Sequence, residues 1–168
     1  MYPVNFYSII ASSFIPLFIG MIWYNPKVFG TIWMKASGVD PEAAQKSSMI
    51  LIFGLTWIFS LFVAFILGTM VVHQTGVFGV LVGQTGFPDD VHAEASKWYA
   101  EFMELYGNNY RSFQHGALHG TLAGLFFALP VIGINALFDG RPWQYILVNT
   151  GYWVVCLLLM GGLICSWV

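Results

Sequence analysis

Charge is what this chain lacks most. Only 8% of its 168 residues are Asp, Glu, Lys or Arg, whereas 58% are hydrophobic and the mean hydropathy is +0.72. A soluble domain carries about a quarter charged residues, so water cannot be the main solvent of this surface, and a bilayer supplies the missing apolar one. The net charge of −2 excludes the basic footprint that nucleic-acid binding needs. Cysteine is scarce too. Cys156 and Cys165 share one apolar run, and their separation along a helix is about 13 Å, beyond disulfide reach; they read as packed or lipid-facing thiols. Strand alternation is absent, which excludes a barrel and leaves helices to satisfy the backbone in lipid. The opening MYPVNFYSII has no basic region, and no small-residue cleavage site follows it, so it reads as a retained membrane segment rather than a signal peptide. No strained nucleophile motif, no acid or base deep in a cleft and no phosphate-cradling glycine loop after a strand is found. An enzyme is therefore not expected, and no catalytic residue or cofactor is assigned.

What is present is apolar length. A bilayer core requires about 20 apolar residues of a helix, and the stretches 5–24, 48–73, 113–138 and 143–167 meet that need, each free of Asp, Glu, Lys and Arg. The sequence predicts an all-α, polytopic membrane protein: a four-transmembrane-helix bundle forming a single integral membrane domain over 1–168. Pro16 predicts a kink in the first span and Pro130 a bend in the third. Trp23, Tyr24, Trp33 and Trp143 are expected as membrane-interface anchors.

The connections carry the remaining pattern. In 25–47, Val28, Phe29, Ile32, Trp33 and Ala36 share a helical face while Lys27 and Lys35 lie off it, which predicts a short interfacial helix in the first loop. Asp40, Pro41 and Glu42 form a helix-start signal, so the second membrane helix is expected to begin near Pro41. In 74–112, a glycine-punctuated stretch at 76–87 reads as a surface or re-entrant loop. Residues 89–106 read as an amphipathic helix with Val91, Ala95, Trp98, Phe102 and Leu105 on one face. Its acidic polar face points to packing over the bundle rather than onto anionic lipid. Four spans place both termini and loop 74–112 on one side. Lys27, Lys35, Lys46 and Arg141 lie on the other, against Lys97 and Arg111, so the positive-inside rule predicts that the termini and the long loop are periplasmic.

WYNPKVFGTIWMKASG at 23–38, HGALHG at 115–120, NALFDGRPWQYILVNTGY at 135–152 and LLLMGGLICSW at 157–167 resemble the domain-of-unknown-function family 1761 of small bacterial integral membrane proteins. The resemblance implies four helices in a bacterial cytoplasmic (inner) membrane. It implies no activity.

Chemistry concentrates at three places. Gly116, Gly120, Gly124 and Ala128 recur every four residues, a small-residue face that lets another helix approach closely. It serves a homo-oligomeric interface or packing within the bundle, with Ala64 and Gly68 on the second span as a candidate partner. His115 and His119 stand four apart, the spacing of two metal ligands on a helix, and the topology brings His73 and His92 to the same membrane side. A divalent metal site is one reading; capping of helix ends at the interface is the other. A bis-histidine haem would need ligands facing one another from separate helices. At the opposite side, Asn135, Asp139, Arg141 and Asn149 read as a structural hairpin, with an Asp139–Arg141 ion pair and an Asn135–Asn149 link between helices.

Two function classes follow. The first is a structural or accessory membrane protein acting by helix–helix association, as a homo-oligomer or a small subunit among other membrane subunits, with the lipid bilayer as its constant partner. The second is a metal-binding or small-solute transport protein using the histidine cluster.

Overall fold

The computed structural model describes residues 3–39 and 48–168. Helix α1, Phe6–Ser13, and α2, Ile15–Trp23, together make the first span. Pro16 sits at the start of α2, and the break at Phe14 is the kink its missing N–H requires. A π-turn, Pro26–Gly30, leads into α3, Thr31–Ser37. The second span is α4, Met49–Val71; α5 is Gln74–Leu81 and α6 is Glu94–Tyr106. The third span runs through α7, Phe113–Ala123, a π-turn at Gly124–Ala128, and α8, Leu129–Phe138. The fourth is α9, Trp143–Ser166. The π-turn ends two residues before Pro130; widening the helix there accommodates the ring and the freed carbonyl. Four helices, Phe6–Trp23, Met49–Val71, Phe113–Phe138 and Trp143–Ser166, are long and apolar enough to cross a membrane. No strand occurs among the described residues.

The packing is that of a protein dissolved in lipid. Large apolar side chains such as Ile50, Phe62, Phe126 and Phe138 face outward, while Ser8, Ser12, Ser13, Ser60 and Ala64 are buried. The inner hydroxyls of Ser8, Ser12 and Ser13 donate to carbonyls of their own helix, those of Asn5, Ile9 and Ile10, which removes the cost of an unpaired polar group in an apolar interior. Cys156 and Cys165 are fully buried packed thiols.

The tightest seam joins α7 to α9. A Cβ at Gly116 would collide with the carbonyl oxygen of Gly161, one at Gly120 with that of Leu157, and one at Gly124 with Val154. The partner of the glycine ladder is therefore α9, not the expected Ala64 and Gly68, which are buried in α4; Gly68 instead lies against Ile9, Val4 and Ile164. Ala128 packs at the margin of the same core. An intrachain helix fills the face, so Gly116, Gly120 and Gly124 offer no open surface to a second copy.

Three further expectations change. The start of the second span near Pro41 lies outside the described residues, as does Lys46; α4 itself begins at Met49, with the Ser48 hydroxyl accepting from the Leu51 amide. Residues 74–81 form a helix rather than a loop. Helix α6 rests on α5, not over the bundle. Its inward residue is Tyr99, packed against Phe78 and Phe87, while Val91, Trp98 and Leu105 of the expected apolar face are exposed. Period alone marks an apolar stripe, and a lipid-facing stripe has the same period as a core-facing one.

Replacing Gly120 by valine puts branched carbon onto the α9 backbone, whereas Gly54 has nothing within 4 Å of an added Cβ. Thermal unfolding in detergent should show G120V destabilised by about 2 kcal/mol or more and G54V close to the parent protein; equal stabilities would refute the seam.

Candidate metal centre

His73 lies two residues past the end of α4 and immediately before α5, and its position is set by the corner between them. The Val72 backbone turns extended, the Thr75 hydroxyl donates to the carbonyls of Val72 (2.7 Å) and Thr69 (2.9 Å), and the Gln74 amide donates to those of Tyr106 and Asn109, each at 3.0 Å. His115 and His119 stand one residue ahead of Gly116 and Gly120. The glycine seam thus fixes the rotation of α7, and with it the direction of both imidazoles. The Ser112 hydroxyl caps α7 by accepting from the His115 amide at 3.2 Å.

Arg111 locks this end of the molecule. Its Nε donates to the Cys165 carbonyl, one Nη to Pro3 and the other to Trp167, each at 2.8 Å. The guanidinium thereby satisfies carbonyls at the end of α9 and ties in the segment around Pro3. Burial lowers its pKa, with the nearby Cys165 acting in the opposite direction. The side chain is committed to carbonyls and does not enter the histidine cluster.

The three rings converge. Nε2 of His73 and Nε2 of His115 are 2.8 Å apart, so one carries the proton and the other accepts it. Ring centroids are separated by 4.9 Å for His73–His115, 5.0 Å for His73–His119 and 4.6 Å for His115–His119. One nitrogen from each ring lies within 4.8 Å of the others. A tetrahedral ion with bonds of about 2.0–2.1 Å holds nitrogens roughly 3.3 Å apart, a spacing the present separations bracket, so modest ring rotations would close the site. The donor set is all imidazole, which suits zinc, copper or nickel rather than calcium or magnesium. His73 and His115 touch, leaving no space for a macrocycle between them, so the haem geometry does not fit this pair.

His92 stands apart. It is exposed, and its backbone amide bonds to Asp90 Oδ1 at 2.8 Å. Among the described residues, Asp89, Asp90, Glu94, Glu101 and Glu104 contribute nothing to the three-histidine group. Tyr110 is the member that sequence reasoning missed. Its ring lies 5.1 Å from that of His115 and 6.1 Å from that of His73, held there by a left-handed backbone with φ +61°. The run Gly107–Asn108–Asn109 after α6 marks a turn in the sequence, but nothing in it says which way Tyr110 faces.

The opposite side is organised differently from expectation. Arg141 donates to the Ser37 carbonyl rather than pairing with Asp139, and its guanidinium lies 5.9 Å from the Tyr145 ring centroid. Asn135 is exposed, and Asn149 accepts from the Tyr24 hydroxyl at 3.0 Å instead of meeting Asn135. Trp23 donates from Nε1 to the Val148 carbonyl at 3.0 Å and packs on Phe29, while Tyr24 packs on Trp33 and Tyr152. Three of the four expected anchors therefore form an inward aromatic latch, and only Trp143 is left largely exposed. Hydrogen-bonding partners on α9 outweigh the headgroup region for Trp23 and Tyr24 because those partners are preorganised.

Spans of this length and composition define the chain as an integral membrane protein. Residues 7–165 match the family model described as protein of unknown function (DUF1761), and the chain belongs to that family. Comparison with curated proteins and with solved structures yields no match.

Loss of the Arg111 clamp should be costly. Arg111→Met removes three hydrogen bonds from a charged donor, each worth about 1.5–3 kcal/mol, so a loss of at least about 2 kcal/mol in thermal unfolding is expected. An unchanged midpoint would show the clamp to be dispensable.

Proposed function

We propose that this protein binds one divalent d-block metal ion at the membrane surface through His73, His115 and His119. The observation that carries the reading is the meeting of three imidazoles from two different chain segments at one point, bonded to and packed on one another rather than on helix-end carbonyls. Helix capping does not require that convergence. A three-imidazole set leaves a fourth coordination position for water or an exogenous ligand. Two of the ligands sit on a rigid spanning helix and the third on a hydrogen-bonded corner, so the site is held by the fold. The excess of basic residues in the two opposite loops supports placing the site, both termini and the 74–112 segment on the periplasmic side of a bacterial cytoplasmic membrane.

The association reading has less to support it. Its strongest surface, the glycine ladder, is covered by α9, and an oligomer or larger complex would have to use the outward Phe, Leu and Ile side chains that lipid also solvates. His92 lies outside the proposed ligand set because its neighbour is Asp90 rather than the other histidines.

Protein purified in mild detergent without chelator and titrated with zinc should bind one ion per chain. The double variant His115→Ala, His119→Ala should lose more affinity than the about 10–100-fold that removal of an outer-shell partner costs, and His92→Ala should bind as the parent does. Because protons compete for the imidazole lone pairs, the apparent affinity should fall as pH is lowered. Absence of zinc, copper and nickel binding in the parent protein would refute the proposal.

A further inference from the structure

His73 has a second neighbourhood. Beside the cluster it forms one wall of an open depression of about 420 Å³, lined also by Gly76, Val77, Val80, Leu81 and Trp98. That volume falls in the range of ligand clefts, about 300–1,000 Å³. Its origin is local. Gly76 puts no side chain on α5 where a Cβ would meet nothing within 4 Å. The Phe78, Phe87 and Tyr99 rings, with centroids 5.2 to 5.7 Å apart, bind α5 to α6 elsewhere and hold Trp98 at the rim. Val80 is 77% exposed and Trp98 51%. The only polar groups the lining side chains provide are the His73 imidazole and the Trp98 indole N–H.

The occupant follows from where the trough begins. His73 stands two residues beyond the end of α4, and the last outward side chains of that span, Phe65, Ile66 and Met70, are exposed and apolar. The trough therefore continues the exposed apolar surface of a helix long and apolar enough to cross a membrane, at the end of that helix. An indole at that level is a usual interfacial feature. An aqueous solute would gain little from Val77, Val80 and Leu81, whereas a hydrocarbon chain gains about 0.8 kcal/mol per buried methylene.

We propose that this trough seats one acyl chain of a bilayer phospholipid whose phosphate oxygen takes the open position of the ion held by His73, His115 and His119. The phosphate contact rests on the metal-binding function proposed above; the acyl groove does not. The lipid is bound by coordination and burial alone, with no bond made or broken. The exposed apolar side of α5 and α6, unexplained by packing within the chain, becomes the lipid-binding wall of the site.

Native mass spectrometry of delipidated protein titrated with dioleoylphosphatidylglycerol tests this, with and without one equivalent of zinc. Val80→Ser with Trp98→Ala alters two exposed side chains and should fold; Val131→Ser, on the exposed side of α8, is the control. The zinc-loaded parent should hold one phospholipid per chain, V80S/W98A should bind it at least tenfold more weakly with unchanged zinc content, and V131S should match the parent. Removing zinc should weaken the lipid several-fold. Equal retention by V80S/W98A and the parent would overturn the groove, whether or not zinc binds. Equal lipid affinity with and without bound zinc would overturn the phosphate contact, and preference for oleate over the phospholipid would overturn the choice of lipid. A parent protein that takes no metal would overturn the function proposed above and the phosphate contact with it. The V80S/W98A comparison in metal-free protein would still decide the groove by itself.

Discussion

Backbone-to-backbone contact between α7 and α9 is the constraint on which the rest of the molecule depends. In lipid there is no gain from hiding apolar surface between helices, because the solvent is equally apolar; association relies on dispersion and on hydrogen bonds at close range. Gly116, Gly120 and Gly161 permit such an approach, since any side chain at these positions would meet the facing main chain. Many large apolar side chains are consequently on the outside, while glycine, alanine and serine line much of the helix contact. Dense packing around those glycines gives α7 one rotational setting and one depth relative to α9.

The two ends of the molecule inherit that setting. At one end, the residues immediately before the glycines are His115 and His119, so the seam aims their rings at the corner where α4 stops and His73 follows. Arg111 then ties the start of α7 to the end of α9 and to Pro3 by three carbonyl contacts. At the other end, α9 receives the Trp23 and Tyr24 latch at Val148 and Asn149, while Arg141 reaches back to Ser37. The polar groups at the latch join segments more than a hundred residues apart, so they staple the first span and its connecting helix to the last span. The histidine cluster and the latch are thus two consequences of one rigid helix pair. The cluster stands beside an apolar trough that His73 also lines, and as the metal site proposed above it would favour ligands with a charged head and a hydrocarbon tail.

Much of this was legible in the residues, though unevenly. Four spans follow from uncharged apolar runs, since length and hydropathy are properties of a segment alone. The kink at Pro16 and the disturbance near Pro130 follow from a missing donor, again a local property. His115 and His119 were readable as a pair because helical periodicity places them together without reference to any other element. His73 was readable as a resident of the same membrane side, but not as a contact. Asp139 and Arg141 were misread for the converse reason: proximity in the chain suggested an ion pair, whereas the Ser37 carbonyl, brought in by the fold, is the acceptor Arg141 uses. The apolar stripe of 89–106 was wrongly assigned to packing over the bundle, because Trp98 and Leu105 keep the helical period of a core-facing stripe although the fold leaves them exposed, while Val91 precedes the helix.

Composition and periodicity by themselves determined the class of this protein: all-helical, four times across a bilayer, with a small-residue face on the third span and histidines gathered toward one side. Those features depend on short-range geometry and on the cost of placing charge in hydrocarbon. The tertiary structure alone decided that the glycine face belongs to α9, that three of four histidines meet while His92 does not, that Tyr110 flanks them, and that the Trp23 indole and the Arg141 guanidinium at the other end are turned inward. Each of these is a contact between segments distant in sequence, chosen by which helices approach closely enough to exclude everything but backbone, and no local pattern encodes that choice.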